Sequence, residues 1–226
     1  MEFLPRAMIV GAFVVPKELQ LGDQVPAEKY TRIFTEVASA GLDYGQFALL
    51  PDGAGVHIRG RRLEDSISVN PPLVQVQSSL VDTNAEGGAT RAQTILRAAA
   101  SVLGVSEMQN LGIKVVYTVP LVTNDAKEFI LHRVLSRGGE HQEDLSMGGD
   151  MWGGVKYVVT SDSGDATYTV QVEPSVADEM KSLYVDVDAQ FPGLHKPGDI
   201  ETKAAEVRSF VQGPLNGYLD KLTQPS

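Results

Sequence analysis

The chain contains no cysteine, which removes disulfides, thiol nucleophiles and cysteine-ligated metal sites together and fits a reducing compartment. It also lacks a long hydrophobic run. The longest, around Ala7 to Val15, is far too short to span a bilayer, and the N-terminus has neither the charged n-region nor the small-residue cleavage site of a signal peptide. A cytoplasmic protein with no membrane partner is expected. Positive charge is scarce: 19 Lys and Arg stand against 29 Asp and Glu, a formal net charge of -10 whose field repels phosphate backbones and anionic lipid. No nucleic-acid partner is therefore expected. No serine sits in a Gly-x-Ser-x-Gly elbow, no lysine follows a phosphate-binding glycine loop, and no dinucleotide fingerprint opens a helix. Common hydrolase, NTPase and dehydrogenase readings lose their weight, and no cofactor is expected.

What the sequence does hold, in 226 residues of 42% hydrophobic content, is one order of elements met twice. In the first half, Arg6 to Val15 is a mostly apolar, β-branched run ended by Pro16, and suits a buried strand. Pro26 opens a helix whose Tyr30, Ile33, Phe34 and Val37 recur at three- and four-residue spacing until Gly41. Gln46 to Leu50 and His57 to Arg61 flank Pro51-Asp52-Gly53 and predict a hairpin. Asp65 to Leu80 predicts a third strand, bent at Pro71-Pro72, and Thr90 to Leu103 an alanine-rich helix that stops at Gly104.

The second half restates this order. Gly112 to Leu121 alternates as a strand, with Ile113, Val115, Tyr117 and Val119 on one face. Asn124 and Asp125 offer caps for a helix through Arg137. Val155 to Thr160 and Ala166 to Glu173 flank the turn Ser161-Asp162-Ser163-Gly164-Asp165, Ser182 to Phe191 is the third strand, and a long helix from Ile200 to Leu222 should kink near Gly213-Pro214.

The fold class that follows is α+β: a tandem duplication of a strand, helix, three strands, helix unit, forming an antiparallel sheet with helices packed on one face. Residues 1–104 form the first repeat. Residues 105–226 form the second, with an inserted Gly-rich loop at 138–154 and the C-terminal helix. This element order resembles the duplicated TATA-binding-protein type of fold, a likeness that carries no functional residues. Charge divides unevenly, with 9 basic and 11 acidic groups in residues 1–104 and 10 and 18 in the remainder, or -2 and -8.

Four features invite chemistry. Asp186 and Asp188 lie two apart on a strand and so share a face with Tyr184 and Gln190; paired carboxylates hold divalent metals or raise one another's pKa, although a solvated strand face has the same pattern. Glu128 and His132 are one helical turn apart, with His141, Glu143 and Asp144 following, an imidazole and carboxylate set that suits a metal or an ordinary surface pair. The loop at 138–154 carries Met147, Met151 and the sole tryptophan, Trp152, as apolar anchors for a partner or a cap on the core. Arg59, Arg61 and Arg62 are the one basic cluster, suited to an anion or to pairing with neighbouring Glu64 and Asp65.

The strand Leu111 to Pro120, the later Leu183-Tyr184-Val185-Asp186-Val187-Asp188-Ala189-Gln190-Phe191, and a closing helix with Val207, Phe210 and Leu219 to Thr223 are similar to a sporadically distributed family of bacterial proteins of unassigned activity. This chain has Val116 and Thr118 beside Tyr117, where the family more often has arginine and asparagine. The resemblance implies a bacterial origin and a non-catalytic role. The expected function is therefore a non-catalytic interaction or scaffold module, a homodimer or binder of another protein through the 138–154 loop. The alternative is a metal-assisted hydrolase or small-ligand binder using Asp186, Asp188 and His132.

Overall fold

In the computed structural model, residues 1–14, 25–61, 64–81, 83–135 and 152–223 are described. Nine strands make one antiparallel sheet: β1 (Leu4–Phe13), β2 (Tyr44–Leu49), β3 (Val56–Gly60), β4 (Ser66–Asn70), β5 (Leu73–Ser79), β6 (Met108–Pro120), β7 (Val155–Thr160), β8 (Thr167–Pro174) and β9 (Ser182–His195). Their spatial order is β2-β3-β4-β5-β1-β6-β9-β8-β7. The first strand of each repeat therefore lies at the centre, β1 against β6, and the remaining strands fan outwards as two meanders. The expected α+β duplication is what the chain forms.

The helices cover one face. They are α1 (Ala27–Ser39), α2 (Ala85–Leu103), the short α3 (Ala126–Glu128), α4 (Ile200–Phe210) and α5 (Asn216–Thr223). Alternation explains why only one face is covered. In β1, Met8, Val10 and Ala12 are buried while Ile9 and Gly11 are half-buried, and the same period-2 pattern runs through β5, β6 from Leu111 and, apart from the buried Asp186, β9 from Leu183 to Phe191. The buried set packs on Tyr30, Ile33 and Val37 of α1, on Ile95, Leu96 and Ala99 of α2, and on Val207, Val211 and Leu215 near the C-terminus. These groups form one continuous core across both repeats.

Three departures from the sequence reading have local causes. The stretch Asp65 to Leu80 is two strands, not one bent strand: Asn70, Pro71, Pro72 and Leu73 form a tight turn, so β4 folds back on β5 with Ser68 opposite Gln75. The helix expected from Asn124 to Arg137 is a single α-turn, capped by the Asp125 carboxylate accepting from the Glu128 N–H at 2.8 Å, that widens into a π-helical turn over Phe129–Val134. The expected C-terminal kink is a second π-helical turn, Val211–Leu215, with Pro214 inside it.

Candidate functional site

The sheet's second face is the surface no described helix covers, and the register determines what it displays. In the first repeat it carries Gln46 and Ala48 of β2, His57 and Arg59 of β3, Ser66, Ser68 and Asn70 of β4, and Gln75 and Gln77 of β5. Ile9 and Gly11 of β1 continue it towards the centre. None of these residues is acidic. Arg59 stands opposite Gln46 on one side and Ser66 on the other. Its guanidinium is exposed and has no ion-pair partner among the described residues. His57 Nδ1 lies 3.0 Å from Ser68 Oγ, directly across the strands. Among the described residues no carboxylate orients that imidazole, so the pair is a cross-strand hydrogen bond without the third member that nucleophilic catalysis requires.

The second repeat's share of the face is different in kind. Lys114 of β6 is opposite Asp188 of β9, and its Nζ reaches diagonally to Asp186 Oδ2 at 2.5 Å. Asp186 is 7% exposed, and its Oδ1 has no hydrogen-bond partner among the described residues. The hydrogen bond to Asp186 raises the Lys114 pKa above its ordinary value. Burial first, and then the Asp186 charge, raise that of the Tyr184 phenol. Asp188 accepts from the Gln190 amide at 2.5 Å, and Gln171 donates to Glu173 at 2.9 Å. Every acid on this half of the face thus has a local donor.

The metal set expected from the sequence does not assemble. Asp186 and Asp188 share the open face, as alternation predicted, but Lys114 occupies the position beside Asp186 that a cation would take. His132 is on the opposite, helical side of the sheet, in the π-helical turn, where its Nε2 is 3.5 Å from Glu128 Oε1 and both side chains are well exposed. No cluster of three His, Asp or Glu groups that could hold a metal occurs among the described residues. His141, Glu143 and Asp144 lie outside them, as do Met147 and Met151 of the expected partner loop and Arg62 of the arginine cluster. Trp152 is 45% exposed and does not cap the core. Arg61 is 3.1 Å from Asp43, an exposed pair, and Arg59 has no ion-pair partner among the described residues.

The residues around Arg59 were missed in the sequence, although their signal is present there. Ser66-Ile67-Ser68-Val69 and Val74-Gln75-Val76-Gln77 each alternate polar with apolar, the mark of two half-buried strands.

No family model matches the chain, and no curated protein matches it. Among solved structures it is similar to a rolling circle replication initiator protein from Geobacillus stearothermophilus, at 11% identity and a TM-score of 0.39, over 95% of this chain and 85% of that one. The expectation of a non-catalytic interaction or scaffold module is corrected here, since the similar solved structure is an initiator protein; residues 138–151 of the loop expected to capture a partner lie outside the described residues. At that level the likeness assigns neither activity nor substrate to this chain. No described helix is long and apolar enough to cross a membrane.

Proposed function

We propose that the protein binds a ligand bearing an oxyanion, phosphate or carboxylate, on the open sheet face of the first repeat, with Arg59 as the charged anchor. The observation that carries this reading is a guanidinium with no ion-pair partner among the described residues, on a face of five strands whose described residues include no acid. An exposed arginine beside carboxylates would be neutralised by them, as Arg61 is by Asp43. Arg59 is instead flanked by amides and hydroxyls, which leave its five donors available in the planar fork that suits oxyanions. Gln46, Gln75 and Gln77 each offer both a donor and an acceptor, so the body of the ligand should be polar and rich in hydrogen-bonding groups. Long-range charge favours the same location. The -8 of the second repeat repels an anion, whereas the first repeat carries only -2.

Titration of the isotope-labelled protein with inorganic phosphate, citrate and adenosine monophosphate tests this. At least one probe should shift the amides of β3 and β4 saturably, and Arg59→Ala should weaken that binding about tenfold or more, the worth of one charge-assisted bond. Lys156→Ala, at the far edge of the same face, should leave it unchanged. Absence of binding by all three probes, or binding indifferent to Arg59→Ala, would sink the reading.

A further inference from the structure

We infer that the chain self-associates through the outer edge of β7, pairing with β7 of a second copy so that two nine-stranded sheets become continuous. Among the described residues the sheet has two edges with no further strand, β2 and β7, and they differ. The β2 edge is blunted: its pairing with β3 slips between Tyr44 and Gln46, and the strand ends at Leu50-Pro51. The β7 edge has no such device among the described residues. Its six residues pair with β8 in unbroken register from Val155 opposite Val172 to Thr160 opposite Thr167, with no proline and no bulge. Its outward N–H and C=O groups form a regular ladder about 20 Å long. Two neighbouring valines stand out to solvent, Val158 at 65% and Val159 at 41% exposure.

The occupant is a second copy because the edge complements itself. In an antiparallel pair about a twofold, residues of like parity oppose each other, so centring the axis on Val158 places Val158 opposite its own copy, Lys156 opposite Thr160, and Tyr157 opposite Val159. In that register Lys156 also lies diagonally next to the partner's turn, where Asp162 sits. Lys156 and Asp162 are both exposed, and neither has an ion-pair partner among the described residues, whereas Asp165 in the same turn already accepts from Ser161 and Ser163 at 2.8 and 2.6 Å. On the helical side, β7 borders a groove of about 430 Å³ lined by Tyr157, Phe210, Pro214, Leu215 and Tyr218. The partner's Val159, opposite Tyr157, would enter its mouth.

The absence of native cysteine makes the test direct. Val158→Cys lies on the proposed axis, where the two Cα atoms of a directly opposed antiparallel pair are about 4.5 to 5.5 Å apart, within reach of a disulfide. Mild oxidation should give a covalent dimer for Val158→Cys and not for Ala48→Cys on the β2 edge. By light scattering at about 100 µM the unmodified chain should show twice its monomer mass of 24.3 kDa. Val158→Lys, which opposes like charges across the axis, should weaken the dimer about tenfold or more with unchanged circular dichroism. Thr160→Lys, which opposes the partner's Lys156 in that register, should do the same if Val158→Lys fails to fold. A monomer at that concentration, or equal cross-linking at positions 48 and 158, would overturn the inference.

Discussion

Tyr44 shows how a single buried group makes stability depend on pH. Its side chain is packed under the first repeat's edge, its hydroxyl has no hydrogen-bond partner among the described residues, and burial, followed by the nearby Asp65 charge, pushes its pKa up to about 12. Burial alone pushes Tyr117 up to about 12 as well. Both shifts favour the neutral phenol in the folded state, while the unfolded chain ionises near its ordinary value of about 10. Stability from these groups is therefore complete below about pH 10 and lost as pH climbs through the folded values. We expect alkaline unfolding in that window, with part of the tyrosinate absorbance appearing only with the loss of circular dichroism. Because the Tyr44 hydroxyl is buried without a partner, Tyr44→Phe should be neutral or stabilise by up to about 1 kcal/mol in urea. Lys114→Met should do the reverse. It leaves the Asp186 carboxylate, whose side chain is 10% exposed, with no donor 2.5 Å away. A fully buried pair would lose about 3–5 kcal/mol, and since Lys114 is itself 36% exposed the expected cost is about 2 kcal/mol. Adding Asp186→Leu to Lys114→Met should recover most of that loss.

Among the elements, α2 shows what the sequence makes legible and what packing hides. Its end is plain: Gly104 adopts φ 74° in the left-handed region, so that the helix closes where the glycine predicted. Its start is not. Two consecutive glycines, Gly87 and Gly88, argue against helix, yet α2 begins at Ala85, capped by the Asn84 side chain accepting from the Gly87 N–H at 2.8 Å. At Gly88 a Cβ would come 2.7 Å from Leu80 Cδ2 and 3.4 Å from Met8 Sδ, so the helix packs closely there on apolar side chains that a larger residue would have to displace. Asn84→Ala and Gly104→Ala should each cost about 1 kcal/mol by thermal or urea unfolding, and because the two ends are far apart the losses should add. The same contrast runs through the strands. The β7 and β8 hairpin was legible because Ser161 to Asp165 is a turn in composition as well as in fact. The β4 and β5 hairpin was not, because paired prolines serve equally at a bend and at a turn, and only the register with β3 and β1 distinguishes them. The π-helical turn at Phe129–Val134 has no sequence signal of its own, whereas the one at Val211–Leu215 was legible as the kink expected at Gly213-Pro214.

For the molecule as a whole, the candidate site was the least legible part, since it is a property of registers between distant segments. Alternation alone placed Asp186 and Asp188 on one face. That Lys114 neutralises Asp186, and that Arg59 looks out over a surface without acids, depends on which strands are neighbours. The same long-range pairing determines how the chain should unfold. At the centre, β1 and β6 pair from Leu4 opposite Thr118 to Phe13 opposite Gln109, and the core of Met8, Val10, Ile113 and Val115 runs across that seam. Above it α2 contacts α4, with Gln93 donating to Glu201 at 3.0 Å and Arg208 pairing with Glu86. A fragment of residues 1–104 would expose the unpaired β1 edge and the face of α2 that packs on α4, and so lose core that its own strands cannot replace. We expect the full chain to unfold in urea as one transition, coincident by far-ultraviolet circular dichroism and tyrosine fluorescence, and residues 1–104 alone to show no cooperative transition. A sigmoidal transition in that fragment would mean that each repeat holds a core of its own, and that the seam between β1 and β6 joins two folding units instead of running through the middle of one.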